Sequence, residues 1–229
     1  MAIRFVIIGG GTGGTLTANR LRKIYKRDEA QIVVIDGDDE HLYQPGLLFV
    51  PFGLAKPGDI VRSRSDQLRE GIEFRLAEVD RVETGSSKVH LADGTELEYD
   101  VLVIASGARL LPEETEGLTG AGWNEKSFSF YTLEGAEALG EALDHLRGGR
   151  VVVNLIDMPI KCPVAPLEFC FLLDWFLRER GIRQDVEVTY ATPLDAAFTK
   201  PVAAGQLGDM FEEKDIGLET EFATGRVDG

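Results

Sequence analysis

The chain has 229 residues, 44% hydrophobic and 28% charged, with a formal net charge of −15. That composition suits a soluble globular protein with enough chain to bury one large core or two small ones. The acidity excludes a phosphate-backbone partner, because nucleic-acid affinity rests on clustered Lys and Arg, and it disfavours electrostatic docking on anionic lipid. Two cysteines, Cys162 and Cys170, make no disulfide framework. The helical span between them is about 12 Å, beyond disulfide reach. The apolar run Phe5–Ile8 is too brief for a signal-peptide core, and Phe169–Leu177, broken by Asp174, is too short for a bilayer. The chain therefore reads as cytoplasmic and non-transmembrane.

In chain order, residues 3–8 predict a buried strand and 13–26 a helix with a basic end. Residues 31–36 form a strand almost without alternation, as in a parallel sheet covered on both faces. From His41 to Gly53 runs an apolar loop with neither helical nor strand period. Such a loop must bury itself against something, and a flat cofactor is one candidate. A helix is expected over 59–70. A meander then follows through 72–82, 88–91 and 96–99, with a turn at Asp93-Gly94. Residues 100–105 predict another buried strand, ending in Ser106-Gly107. Thr132 caps a helix to about Arg147, with Glu134 in its first turn. Residues 150–156 predict a second buried strand and 167–180 a helix, with Pro166 in its first turn and Gly181 at its end. A last strand covers 186–190. The βαβ pattern thus occurs twice, which predicts an α/β fold: two Rossmann-like three-layer βαβ units with an inserted antiparallel β-meander, truncated at its end. The first domain is expected over 1–110. A linker rich in Pro, Gly, Glu and Thr covers 111–128, and an incomplete second domain covers 129–229.

Gly9, Gly11 and Gly14 have the Gly-x-Gly-x-x-Gly spacing. The first allows a tight turn, the second lets a pyrophosphate approach the backbone, and the third lets helix and strand pack closely. Thr12 then begins a helix whose N–H groups and dipole face the phosphates. Asp36, ending the second strand, can accept hydrogen bonds from an adenosine ribose. The alternative is a glycine-rich turn used only for packing. Ala105-Ser106-Gly107, after a meander, resembles the alanine–threonine–glycine signature of two-dinucleotide flavoproteins, with Ser106 in the threonine's place. This favours FAD as the cofactor and a fold of the FAD/NAD(P)-binding type.

The second unit lacks this fingerprint. Its turn, Asp157 to Pro166, holds no glycine but a cysteine beside Lys161 and three prolines. A thiol before a helix N-terminus and next to an ammonium is favoured as thiolate, the nucleophilic form, so Cys162 is the candidate catalytic residue. The alternative is a buried structural cysteine, which is the natural reading of Cys170 among Phe169, Phe171, Leu172 and Leu173. His41, His90 and His145 show no metal spacing. His90 and His145 read as surface, and His41 is a lesser candidate for the cofactor's neighbourhood. Glu212, Glu213 and Asp215 read as a solvated face, and Trp175-Phe176 as buried or at an interface.

Together, Gly9–Gly14, the His41–Gly53 loop, Ala105-Ser106-Gly107 and Lys161-Cys162-Pro163-Val164-Ala165-Pro166 resemble the sulfide:quinone oxidoreductases, FAD-dependent flavoproteins related to the pyridine-nucleotide-disulfide reductases. The resemblance implies that sulfide is oxidised by a cysteine pair near the flavin and that electrons pass to quinone. It makes Cys162 the cysteine nearest the flavin, and places Pro45 by the flavin ring and Val79 by adenine through its backbone. Family members continue well beyond this length. Their distal part carries the partner cysteine, a flavin-binding glycine–aspartate segment and helices that dock on the membrane. The chain is accordingly read as the N-terminal portion of such an enzyme, expected to bind FAD weakly and not to turn over by itself, with peripheral membrane association belonging to the full-length protein. Homo-oligomers are left open. The alternatives are a type II NADH dehydrogenase-like flavoprotein and a non-catalytic dinucleotide-binding module.

Overall fold

The computed structural model describes residues 2–228. They divide into two units: residues up to Tyr43 with Gly58–Leu110, and Gln44–Pro57 with the residues from Leu111 onward.

The first unit contains β1 (Ile3–Ile8), α1 (Thr12–Ile24), β2 (Ala30–Asp36), β3 (Glu40–Leu42), the end of α2 (Pro57–Ile60), β4 (Val61–Ser63), β5 (Glu73–Leu76), β6 (Val79–Glu83), β7 (Lys88–Leu91), β8 (Glu96–Glu98) and β9 (Val101–Ile104). Four strands make a parallel sheet in the order β5-β2-β1-β9. Ile7 lies opposite Val34 and Val103. Because strand side chains alternate, Phe5, Ile7, Ile32 and Val34 share one face with Ala18 of α1. Val6 and Ile35 share the other with Val89 and Leu91 of the antiparallel β6-β7-β8 meander. The layers are therefore helix, sheet and meander. Each large apolar side chain so buried contributes on the order of 1.5–3 kcal/mol.

Three sequence expectations need correcting here. Residues 59–70 are not one helix but the end of α2, β4 and a short 3-10 turn at Ser65–Gln67. Asp39 diverts the backbone, accepting from the Ser65 amide at 2.9 Å and from the Ser63 hydroxyl at 2.7 Å. Short polar side chains compete with helix in this way. The strand at 100–105 is not covered on both faces: β9 is a sheet edge, and Ile104 is 68% exposed. His90 is not on the surface. It lies on the central meander strand opposite Arg81 and Glu96, and long charged side chains from both flanking strands cover it. Its Nε2 is 3.1 Å from Glu83 Oε2, and this hydrogen bond holds the Glu83 carboxyl below the usual carboxylate range.

The second unit contains α3 (Leu133–His145), β10 (Gly149–Asn154), α4 (Ala165–Glu179), β11 (Val186–Ala191), α5 (Pro201–Glu213) and β12 (Ile216–Glu219). Its strands form a parallel β10-β11-β12 sheet. Phe169, Cys170, Leu173 and Leu177 of α4 pack with Val153, Val188 and Tyr190, and Leu48 and Phe52 of the inserted segment join the same core. Thr132 caps α3 as expected, accepting from the Gly135 amide at 3.1 Å. Asp174, 1% exposed, accepts from Arg178, Arg183 and Lys214. Arg183 also donates to the carbonyls of Val186, Lys214 and Asp215. β10 is an edge strand, with Val152 52% exposed. Among the described residues no helix is long and apolar enough to cross a membrane.

Candidate functional site

In the first unit the site is built on the turn from β1 into α1. Gly9 has φ +98, a conformation that costs an ordinary residue energy, and a Cβ there would run into the backbone at Ala105. A Cβ on Gly14 would collide with the Gly9 carbonyl. Both glycines are therefore fixed by close backbone packing. Gly11 differs, since a Cβ there meets nothing within 4 Å. The open space sits where α1 begins, and no side chain caps that helix. Its first intrahelical bond runs from the Thr15 amide to the Gly11 carbonyl at 2.9 Å, so the amides of Thr12, Gly13 and Gly14 precede it and lack an intrahelical acceptor. Uncapped amides, a positive helix end and open space together suit a phosphate group.

Asp36 ends β2 beside this turn. Its Oδ2 accepts from the Gly10 amide at 2.6 Å and lies 3.3 Å from Arg64 Nη1. Arg64, largely buried, also binds Asp38 Oδ1 at 2.8 Å, and its Cδ would lie 2.9 Å from a Cβ on Gly10. The arginine thus runs over the glycine turn. Sequence reading does not single it out, because it sits in a stretch with helical spacing far from the fingerprint. His41 Nδ1 lies 3.4 Å from the Gly10 carbonyl.

Val79 begins β6 close to the end of β2, where the Ala77 amide donates to the Asp36 carbonyl at 2.9 Å. Ser106 and Gly107 follow β9, both exposed, and the preceding Ala105 amide donates to the Ile8 carbonyl at 2.7 Å. The fold therefore gathers Gly9, Gly11, Thr12, Gly14, Asp36, Val79, Ser106 and Gly107 at one end of the first sheet. Pro45 is exposed in the inserted segment, and both Pro45 and Cys162 belong to the second unit.

Cys162 is exposed, while Cys170 is fully buried and burial pushes its thiol up. Cys162 lies just ahead of α4, whose first turn contains Pro166 as expected. Its φ is +57, the left-handed region. Its carbonyl accepts from the Ala165 amide at 3.2 Å and from the Tyr131 hydroxyl at 3.1 Å. Burial, and then the charge of Cys162, push the Tyr131 phenol up, so it stays protonated and able to donate. Tyr131 stacks on Phe130 at 5.0 Å, and Phe130 on Phe169 of α4 at 4.8 Å. No sequence signal marks this tyrosine, since the contact joins positions far apart in the chain. Among the described residues no group of three or more His, Cys, Asp or Glu is arranged to hold a metal.

A dinucleotide-type glycine turn with an acidic strand end, in a unit of helix, sheet and meander, defines a class. Residues 3–153 match the pyridine nucleotide-disulphide oxidoreductase family, and the chain belongs to that family. The resemblance to sulfide:quinone oxidoreductases also holds. The mitochondrial sulfide:quinone oxidoreductase of Dictyostelium discoideum is 27% identical over 98% of this chain and 49% of its own length. The crystal structure of the sulfide:quinone oxidoreductase from Aquifex aeolicus superposes with a TM-score of 0.85 at 28% identity, covering 99% of this chain and 53% of that one. The Arabidopsis thaliana alternative NAD(P)H-ubiquinone oxidoreductase C1 is 29% identical over 81% of this chain and 38% of its own. The chain spans about half the length of the sulfide:quinone oxidoreductases it matches, and less of the Arabidopsis relative.

Proposed function

We propose that the chain forms part of an FAD-dependent oxidoreductase that takes electrons from sulfide through Cys162 and passes them to quinone. The observation that carries this reading is the turn ahead of α4. Where a second dinucleotide would need glycines, the turn presents an exposed thiol on a left-handed backbone. A thiolate there is a nucleophile for sulfur chemistry. The first unit supplies the cofactor's place, with open space at Gly11 and uncapped amides at the start of α1. Bound FAD would serve as the two-electron carrier. In this reading Gly9, Gly11, Thr12 and Gly14 hold its pyrophosphate, Asp36 the adenosine ribose and Val79 the adenine, while Ser106 and Gly107 line the flavin portion. Cys170 is no partner thiol, being sealed in the core.

Sulfide added anaerobically to the FAD-loaded chain is expected to bleach the visible flavin absorbance in a single turnover, and Cys162→Ser to retain FAD without bleaching. Bound flavin indifferent to sulfide would overturn the reading. Bleaching by NADH instead would favour a type II NADH dehydrogenase activity, the second reading that the Arabidopsis relative supports.

Asp36→Ala is expected to weaken FAD binding about ten- to hundredfold, because hydrogen bonds to a charged group are worth roughly 1.5–3 kcal/mol. Titration of flavin fluorescence against each protein checks this. An unchanged affinity would mean that Asp36 serves the turn alone.

A further inference from the structure

We propose that Tyr131 is the positioning residue of the Cys162 turn, its hydroxyl pinning the Cys162 carbonyl so that the thiol is presented from a left-handed backbone. This rests on reading Cys162 as the reactive thiol. A residue with a Cβ occupies the left-handed region at a cost, and such conformations persist where surrounding structure over-determines them. Here two donors converge on one acceptor. The Ala165 amide reaches the Cys162 carbonyl at 3.2 Å from the start of α4, and the Tyr131 hydroxyl reaches it at 3.1 Å from ahead of α3. The amide bond is local and would follow the turn wherever it went. The tyrosine is external to the turn and braced: its ring stacks on Phe130, which stacks nearly parallel on Phe169 at an interplanar angle of 7°, and Phe169 is 3% exposed in the second core. The donor's position is therefore set by the core of this unit and not by the turn it holds. Without that bond the turn is free to return to negative φ, a rotation that re-aims the Cα–Cβ bond of Cys162 and with it the sulfur.

Since Cys162 is exposed and Cys170 buried, a methanethiosulfonate nitroxide labels Cys162 selectively in the whole chain. The variant Tyr131→Phe keeps the ring and its stacking and removes only the hydroxyl. Loss of one neutral hydrogen bond shifts the turn's equilibrium about fivefold. The label's spectrum is expected to change from one ordered component in the parent to a mixture with a mobile component in Tyr131→Phe. Thr132→Ala, which removes the cap of α3, is the control; it is expected to lower the melting temperature while leaving the label ordered. Superimposable spectra for the parent and Tyr131→Phe would overturn the proposal. So would equal loosening in both variants, which would make the hydroxyl a contributor to general stability alone. An ordered label on a protein whose flavin ignores sulfide would defeat the reading of the site and leave the role of Tyr131 in the turn standing.

Discussion

Replacing Gly14 with alanine is expected to abolish dinucleotide binding and to lower the melting temperature of the chain. The new Cβ would clash with the Gly9 carbonyl oxygen and lie 2.9 Å from its carbon and 3.3 Å from Ile7 Cγ2. Overpacking usually costs about 1–3 kcal/mol because side chains can yield. Here the obstruction is backbone, and that backbone cannot retreat, since Gly9 itself packs on the Ala105 peptide and its amide donates to the Ile35 carbonyl at 2.8 Å. The remaining response is for α1 to lift away from β1, taking its open amides with it. Gly11→Ala separates the two effects. Its Cβ meets no protein atom, so folding should be unchanged, and only a ligand occupying that space would feel the methyl. Thermal melts with flavin titrations of both variants decide the matter. A Gly14→Ala chain that binds FAD like the parent would refute the account of the turn.

Asp174→Ala is expected to destabilise the second unit by about 3–5 kcal/mol, the usual result of removing one partner from a buried ion pair. For a chain of this length that is a fall of about 10 °C in melting temperature. Asp174 and Arg183 are 1% and 6% exposed, and Arg183 fastens α4 to the carbonyl of Val186, which begins β11, and to that of Asp215, just ahead of β12. Burial pushes the Asp174 carboxyl up, but the hydrogen bonds from Arg178, Arg183 and Lys214 outweigh it and hold the group below the ordinary range. A carboxyl depressed in the folded state contributes stability that is present above the unfolded value, near 4, and is lost as pH falls through the folded value. Acid titration of the melting temperature should therefore show a shallower acid limb in Asp174→Asn than in the parent. An identical limb would show that the cluster does not couple folding to protons.

What was legible in the sequence was whatever local spacing controls. The glycine turn follows an apolar strand and opens a helix, so its backbone course could be read from adjacent residues, as could the Thr132 cap and the placement of Pro166 in α4. Cys162 stood out because prolines replaced the expected glycines. What escaped depended on contacts distant in sequence. Arg64 reaches the glycine turn only because Asp39 and its serines break an apparent helix at that point. Tyr131 meets Cys162 through an aromatic stack anchored on α4. His90 read as surface because its place on the meander cannot say whether neighbouring strands' long side chains will cover it. The apolar runs at β9 and β10 looked buried because composition does not reveal which strand ends a sheet.

The inserted segment Gln44–Pro57 gives the chain an interlaced path. Its base is tied within the first unit, where Leu42 pairs with Val61 and the Tyr43 amide donates to the Ile60 carbonyl at 2.7 Å. Its tip, through Leu48 and Phe52, is part of the core formed by α4. Polypeptide therefore passes from one unit to the other at three places, after Tyr43, after Pro57 and after Leu110. Neither unit can be excised by a single cut. A fragment ending at Leu110 would keep the tether while losing the burial that its tip requires, and the freed apolar tip would be the first part of that fragment open to proteases or to self-association.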